Sequence, residues 1–527
     1  MLRMTVRNLP KTPYSSPAPP SPRLVLSVVV LAAVLIWVDT TILGIALEHL
    51  ADPRTGLGAG PDELQWAVGA YALTFATALF AAGALGDRYG HRTVLLSGLL
   101  VFGAASLWAA WSPDATSLIL ARGLMGVGGA MIMPTSMAVI GAVFPRERRA
   151  GAIAVWSGSS GVGVTLGPLL GGVLVDHYWW GSVFLVNVPI VAVAVAGVIR
   201  FVPNPRGARR RPDVLGVGLS TAGLAAVAYG LIEAGQDTDW ARAQVWVPLV
   251  VGTALLVAFV VVEWRSAEPS FDPRLFADRR FAAGNLALAA LFFSITGQMF
   301  YGNFYLQGAR GMSAFQTGLA FVPGALGVVV GSGLGARLAR RYGVAAVCAP
   351  ALLVVAAAFV ANLTYDVGTS LWWFCSVGAV SGLAMGIVIA PTVAAVLAVL
   401  PVDRMGAGSA VNTTLRQVGS VLGIAVLGTV LSVAYRRGID PALVGLPPAA
   451  HDAAGRSAEQ ARYVAGALAR PDLVAAADRS FVDAMHLTAA GAGLVSAAGA
   501  VLLFLAFRPL RGTGAGPVPR SDATATS

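Results

Sequence analysis

The hexapeptide Leu85-Gly86-Asp87-Arg88-Tyr89-Gly90 is echoed in the second half of the chain by Leu338-Ala339-Arg340-Arg341-Tyr342-Gly343. Each copy follows one long apolar run and precedes another, so each reads as a tight turn between two membrane-crossing helices. A turn repeated at corresponding places predicts two equivalent helical halves, a construction found in membrane transport folds.

The composition outward from these turns supports that reading. Of 527 residues, 56% are hydrophobic and only 12% charged, against about 25% charged in a typical soluble domain. The mean hydropathy is +0.73, which excludes an ordinary soluble enzyme. Apolar runs of about 20 residues match the length a helix needs to cross a hydrocarbon core of about 30 Å. About fourteen spans are predicted, near 24–47, 65–85, 94–111, 117–143, 150–175, 183–200, 213–233, 245–264, 281–306, 315–336, 344–363, 370–398, 407–434 and 484–507. The two echoed turns then fall after spans 2 and 10, at equivalent positions of an all-α 6+2+6 arrangement. Its parts are an N-terminal tail (1–23), a six-helix half (24–203), two linker helices with their flanking loops (204–280), a second half (281–507) and a disordered tail (508–527).

Charge sets the orientation. Arg3/Arg7/Lys11/Arg23, Arg88/Arg92, Arg146/Arg148/Arg149, Arg206/Arg209/Arg210/Arg211, Arg279/Arg280, Arg337/Arg340/Arg341 and Arg508/Arg511 fall on one side, whereas the short loops of the other side hold only Arg54, Arg242 and Arg310. This positive-inside asymmetry places both termini in the cytoplasm and makes the net charge of +10 a topology determinant with lipid headgroups as its partner, not a nucleic-acid footprint. The first run, Leu24 to Leu47, exceeds the h-region of a signal peptide and lacks a small-residue cleavage site. Tyr435 to Asp483 is Ala-rich with balanced charge and helical spacing at Tyr463, Val464, Ala467 and Leu468, and predicts one or two amphipathic helices on the outer face.

Several chemistries are excluded. Cys348 and Cys375 lie inside apolar runs and read as packing residues, and the five histidines show no i, i+4 pairing, so neither a disulfide framework nor a metal site is expected. A phosphate-binding G-x-x-x-x-G-K-[ST] loop is missing, and Lys11 is the chain's one lysine. No nucleophile, base and orienting group assemble from the in-span residues, so an enzyme is not expected.

Ionisable side chains inside a span cost at least about 2.5–3.5 kcal/mol and mark function by default. Three stand out: Asp39, Arg122 and Arg416. Counting inward, Asp39 lies about 12 Å below the outer end of span 1 and Arg122 about 8 Å below that of span 4. At such similar depth they can form an ion pair if helices 1 and 4 face a common cavity. The pair is either a static bridge that fixes helix packing or a switch in which Asp39 alternates between Arg122 and a proton. Arg416 sits nearer the cytoplasmic end of its span, from where its side chain can snorkel. In the first echoed turn Gly86 and Gly90 permit the tight reversal, Asp87 can pair with a helix N-terminus, and Arg88 and Arg92 can bind acids or lipid phosphates. In span 5, Gly163, Gly167 and Gly171 recur one turn apart and permit close helix approach beside the kink at Pro168.

These residues also carry a resemblance. Gly83-Ala84-Leu85-Gly86-Asp87-Arg88-Tyr89-Gly90-His91-Arg92 resembles the loop 2–3 signature of the major facilitator superfamily, and Gly163-x-x-x-Gly167-Pro168-x-x-Gly171-Gly172 is similar to that superfamily's antiporter signature. Val38-Asp39-Thr40-Thr41-Ile42-Leu43-Gly44-Ile45-Ala46-Leu47 resembles the first helix of the fourteen-span drug:proton antiporters. The likeness extends through Trp66, Tyr71, Phe184-Leu185-Val186-Asn187-Val188-Pro189, Tyr305-Leu306-Gln307 and Asn412 to Gly419. The chain departs from the pattern at Gly44, Glu48, Met125 and Ala154; Met125 replaces a polar residue expected to line the cavity. The resemblance implies a proton-coupled antiporter of a bacterial plasma membrane, energised by the proton-motive force without a cofactor, functional as a monomer, and exporting drugs, antibiotics or other lipophilic small molecules by alternating access. It implies that Gly83, Asp87, Arg88, Gly90 and Arg92 latch the outward-open state and that Gly163, Gly167, Pro168, Gly171 and Gly172 seal the antiporter against leak.

A substrate cavity is expected among Trp37, Thr41, Tyr71, Met125, Trp156, Gln298, Tyr301, Tyr305 and Arg416, with Phe75, Phe300, Asn303 and Gln307 nearby, since aromatic faces and a few polar groups suit amphipathic or cationic molecules. Asp39 reads as the one clearly buried acid, which favours monovalent or neutral lipophilic substrates over divalent cations. Two other readings stand beside this one: a narrow exporter of an endogenous metabolite, and a transport-inactive scaffold or sensor acting through the Tyr435 to Asp483 segment.

Overall fold

The computed structural model describes residues 21–204, 213–235, 242–266, 269, 271–400 and 405–507. Arg3, Arg7, Lys11, the cluster Arg206/Arg209/Arg210/Arg211, Arg508 and Arg511 lie outside the described residues, as does the tail 508–527, whereas Arg23 falls in the first helix.

The chain folds into helices throughout: α1 (Pro22–Ala51), α2 (Pro61–Tyr89), α3 (His91–Ala110), α4 (Ala115–Val143), α5 (Arg146–His177), the single turn α6 (Ser182–Leu185), α7 (Asn187–Phe201), α8 (Val214–Glu233), α9 (Ala243–Arg265), α10 (Arg279–Phe304), α11 (Ala314–Tyr342), α12 (Val344–Ala361), α13 (Leu371–Ala398), α14 (Met405–Leu443), the short α15 (Pro448–Arg456) and α16 (Ala458–Ala467), and α17 (Pro471–Phe507). Caps fix several starts. Asp114 accepts from the Ser117 amide at 2.7 Å, and Ser313 with Gln316 forms a capping box on α11. Both echoed turns reverse through a glycine in the left-handed region, Gly90 at φ 99° and Gly343 at φ 87°, where a Cβ would be strained.

Among the described residues twelve helices are long and apolar enough to cross a membrane, and α2, bent by 49° between Leu79 and Ala81, makes a thirteenth. The other expected span is α5, whose described apolar portion, Gly161–His177, is a shorter helix. One boundary needs correction. Helix α14 runs on to Leu443 and α17 starts at Pro471, so the expected segment 435–483 contracts to a connection of 444–470 carrying α15 and α16. Hydropathy marks where a helix leaves the apolar core; it does not mark where hydrogen-bonded helix stops.

Packing repeats between the halves. In the first, α1 packs on α5, α2 on α4 and α3 on α7; in the second, α10 packs on α14, α11 on α13 and α12 on α17. The halves meet along two seams, α5 against α11 and α14 against α2, and α8 touches both α2 and α14. Cross-half hydrogen bonds gather at the end of the bundle remote from the chain termini. Gln307 Nε2 donates to the Ile45 carbonyl at 2.9 Å, and Arg462 reaches Glu48 at 3.5 Å. Thr414 to the Ala76 carbonyl, 3.3 Å, sits at mid-depth. The halves are therefore closed at that remote end.

Candidate functional site

Asp39 and Arg122 meet. Helix α1 presents Asp39 and α4 presents Arg122 so that Nη1 lies 2.7 Å from Oδ2, with side-chain exposures of 0% and 2%. Each charge has further partners, as a buried ion requires. Arg122 Nε donates to the Ala67 carbonyl at 3.1 Å, and the guanidinium lies 4.6 Å from the Tyr71 ring centroid and 5.9 Å from that of Phe184. The other Asp39 oxygen accepts from Asn187 Nδ2 at 3.1 Å, and that amide also donates to Ser106 Oγ at 2.9 Å. Ser106 in turn donates to the Phe184 carbonyl at 3.0 Å. Five helical elements, α1, α2, α4, α6 and α7, thus converge with α3 on one carboxylate–guanidinium pair.

Sequence reasoning about single residues did not single out Asn187 or Ser106. Their signal was available: a fully buried amide and hydroxyl in apolar spans need partners. Met125, one turn along α4, brings its sulfur to 4.0 Å from Arg122 Nη1, a polarisable contact where a polar one was expected.

The glycines of α5 do close-pack, and the helix has two working faces. A β-carbon on Gly163 would fall on Trp37 and one on Gly167 on Thr41, while one on Gly171 would lie 3.0 Å from Ile42. That face holds α1 and so sets the position of Asp39. On another face Gly172 lies against the Phe315 backbone of the opposite half, at 2.5 Å from its Cα to an added β-carbon. Pro168 offers its carbonyl to the same seam beside Gly318.

The loop 2–3 residues are satisfied within their own half. Asp87 pairs with His91 at 3.3 Å, at the start of α3, Arg88 stacks over Tyr89 at 5.3 Å, and Arg92 donates to the Ile199 carbonyl at 2.6 Å. Space around Gly83 is open, whereas a side chain on Gly86 would collide with His91 and approach Thr135 at 3.2 Å.

Several expected cavity residues are placed otherwise. Tyr305 has no exposed surface, donates to the Asp366 carbonyl at 2.7 Å and stacks on Tyr365 at 5.7 Å. Tyr301, 2% exposed, accepts from Asn362 at 3.5 Å. Tyr305 thus belongs to an aromatic cluster with Tyr365 and Phe374, and the π-turn Tyr305–Ala309 that follows α10 turns Gln307 onto α1. Thr41 bonds back to the Trp37 and Val38 carbonyls at 3.2 Å and packs on α5. Trp37, Trp156 and Gln298 are half-buried, and Tyr71 stacks on Phe75 at 5.9 Å under Arg122. Arg416 is half-buried on α14. Its guanidinium rests 5.3 Å over Phe292 and donates to Thr413 at 3.3 Å.

Asp39 is not the one buried acid. Glu263, 1% exposed at the end of α9, accepts from the Phe271 amide at 3.3 Å. The chain folding back after α9 buries it, a tertiary effect that hydropathy does not register. Glu48 at the end of α1 and Asp478 of α17 surround Arg462 with Glu459, at 3.5, 2.8 and 3.6 Å. Burial would lower the proton affinity of this arginine, but the three carboxylates outweigh it and hold Arg462 above its ordinary range.

A family model described as Major Facilitator Superfamily matches residues 29–424. The chain belongs to the Major Facilitator Superfamily. Within the superfamily it is 32% identical, over 94% of its own length and 98% of the relative's, to the multidrug efflux pump LfrA of Mycolicibacterium smegmatis. It is also 32% identical to the methyl viologen resistance protein SmvA of Salmonella typhimurium, over 79% of this chain and 84% of that one. Among solved structures it shares its fold with a bacterial homologue of the human lysosomal transporter Spinster, at a TM-score of 0.65 and 16% identity, covering 93% of this chain and 97% of that one. The Asp39–Arg122 pair lies on α1 and α4, inside the residues that the family model matches.

Proposed function

We propose that this protein is a proton-coupled antiporter that exports lipophilic drugs or antibiotics from the cytoplasm of a bacterium by alternating access. On this reading both termini are cytoplasmic, the end closed by Gln307 and Arg462 is the outer one, and the protein works as a monomer driven by the proton-motive force without a bound cofactor. The buried Asp39–Arg122 pair carries the proposal. A carboxylate sequestered from water is stable here only while Arg122, Asn187 or a proton compensates it. When the halves close at the cytoplasmic end and open outward, a proton from outside can bind Asp39 and free Arg122 from its ion pair. Inward opening and re-formation of the pair expel that proton to the cytoplasm. One proton crossing about 150 mV supplies about 3.5 kcal/mol, enough to hold a gradient of several hundredfold for a neutral solute.

The half-buried aromatic residues Trp37 and Trp156 support an amphipathic substrate. The test is accumulation of a fluorescent lipophilic cation in a pump-deficient bacterial host, with wild type or Asp39→Asn, with and without a protonophore. Lowered accumulation abolished by the substitution and by the protonophore is the expected result. Unchanged accumulation with the wild-type protein in the membrane sinks broad export and leaves a narrow substrate as the reading.

A further inference from the structure

The two seams between the halves are related by the internal repeat, yet they are fastened differently. At the α14–α2 seam, α2 is capped by its own residue: Glu63 Oε2 accepts from the Gly60 amide at 2.9 Å. At the α5–α11 seam α11 has the matching contact of its own, the Ser313 amide donating to Gln316 Oε1 at 3.1 Å, and a second cap comes from across the molecule. Asp176, at the end of α5, accepts from the Ala314 amide at 3.0 Å, from the Phe315 amide at 2.9 Å and from the Ser313 hydroxyl at 2.9 Å. Ala314 and Phe315 are the first two residues of α11, whose amides have no intrahelical partner. A carboxylate there also faces the positive end of the α11 dipole.

The approach is fixed by small residues. Gly172, one turn before Asp176, leaves no room for a β-carbon against the Phe315 backbone, and Gly318 leaves none against the Pro168 carbonyl. Backbone contact therefore delivers Asp176 to the α11 N-terminus only while the halves are closed at this end, and parting them hands the three donors back to water.

We infer that Asp176 is a positioning residue for the transport cycle: its charge on the α11 N-terminus holds the outward-closed state and so sets how often the outer side opens. The inference rests on the orientation proposed above but not on which solute is carried or which residue binds the proton.

The test uses the full-length protein in cells, with Cys348 and Cys375 replaced by Ala and a single probe cysteine at Asn303, which is 3% exposed and faces Gly44 across the closed halves. Labelling by a membrane-impermeant maleimide added outside then reports outer opening. Asp176→Asn, which keeps the side chain's size, and Asp176→Ala are expected to raise the labelling rate by at least about fivefold, the lower range of a coupling between two states. Asp176→Glu should restore the slow rate, and Ser313→Ala should give a smaller rise. Apparent KM for a cytoplasmic substrate should rise as the inward-open population falls. A second probe, Val444→Cys, 78% exposed in the connection before α15, checks the orientation. Rapid labelling of Val444→Cys with an Asn303→Cys rate indifferent to Asp176 overturns the latch. Failure to label Val444→Cys from outside overturns the orientation and with it the outer assignment of Asp176.

Discussion

Removing the charges of Asp39 and Arg122 one at a time and together separates an interacting pair from two independently placed residues. At 2.7 Å the Coulomb attraction is about 6 kcal/mol for an effective dielectric of about 20. Most of that offsets desolvation, so the net worth of the pair is small, while breaking it from one side costs about 3–5 kcal/mol. Arg122→Gln strands a carboxylate with no exposed surface, left with Asn187 as its amide donor. Asp39→Asn strands a guanidinium that keeps the Ala67 carbonyl and the Tyr71 face, so it should be the milder of the two. The double variant buries no unpaired charge and should be more stable than Arg122→Gln alone, although it does not transport. Thermal unfolding of purified protein in nanodiscs reads the stability, and dye efflux from the same variants reads the activity. Additive destabilisation, with the double variant less stable than either single one, would refute the reasoning, because it would mean the two charges do not compensate one another.

Three further outcomes follow from the geometry. Asn187→Ala leaves Asp39 Oδ1 and Ser106 Oγ without their amide donor; a loss of about 1–3 kcal/mol is expected, together with slowed proton-coupled efflux, and unchanged turnover would argue against a role for Asn187 beside the pair. Gly167→Val drives a side chain into Thr41 and the Val38 carbonyl and should cost about 1–3 kcal/mol of overpacking while displacing α1; wild-type efflux at wild-type thermal stability would contradict the tight α1–α5 contact. Tyr305→Phe removes the hydroxyl bonded to Asp366 at 2.7 Å, so it should lower stability by about 1 kcal/mol and leave dye KM unchanged; a shift in KM between substrates would return Tyr305 to the binding cavity.

Much of the architecture was legible in the sequence because a bilayer imposes one-dimensional constraints. Span length follows from hydrocarbon thickness, so the apolar helices and the echoed turns at Gly90 and Gly343 could be read by counting along the chain. Asp39 and Arg122 were legible for the same reason: a charge among apolar residues advertises its own cost. Similar depth even indicated that they could meet. The aromatic candidates were less legible, since a tyrosine in a span has the same composition signal whether it faces a cavity, as expected of Tyr301 and Tyr305, or is packed away from one, as the buried rings of both are.

What the sequence by itself determined was therefore the class of fold, the repeat and which charges had to find partners, because each depends on local composition and periodicity. Only the tertiary structure decided that Asn187 and Ser106 complete the Asp39 site, that Glu263 is buried by the chain folding back, and that Asp176 of one half caps a helix of the other. Those facts depend on which faces of distant helices are brought within about 3 Å of one another, the reach of a hydrogen bond, and that distance belongs to the packing of the helices and not to any segment of the chain.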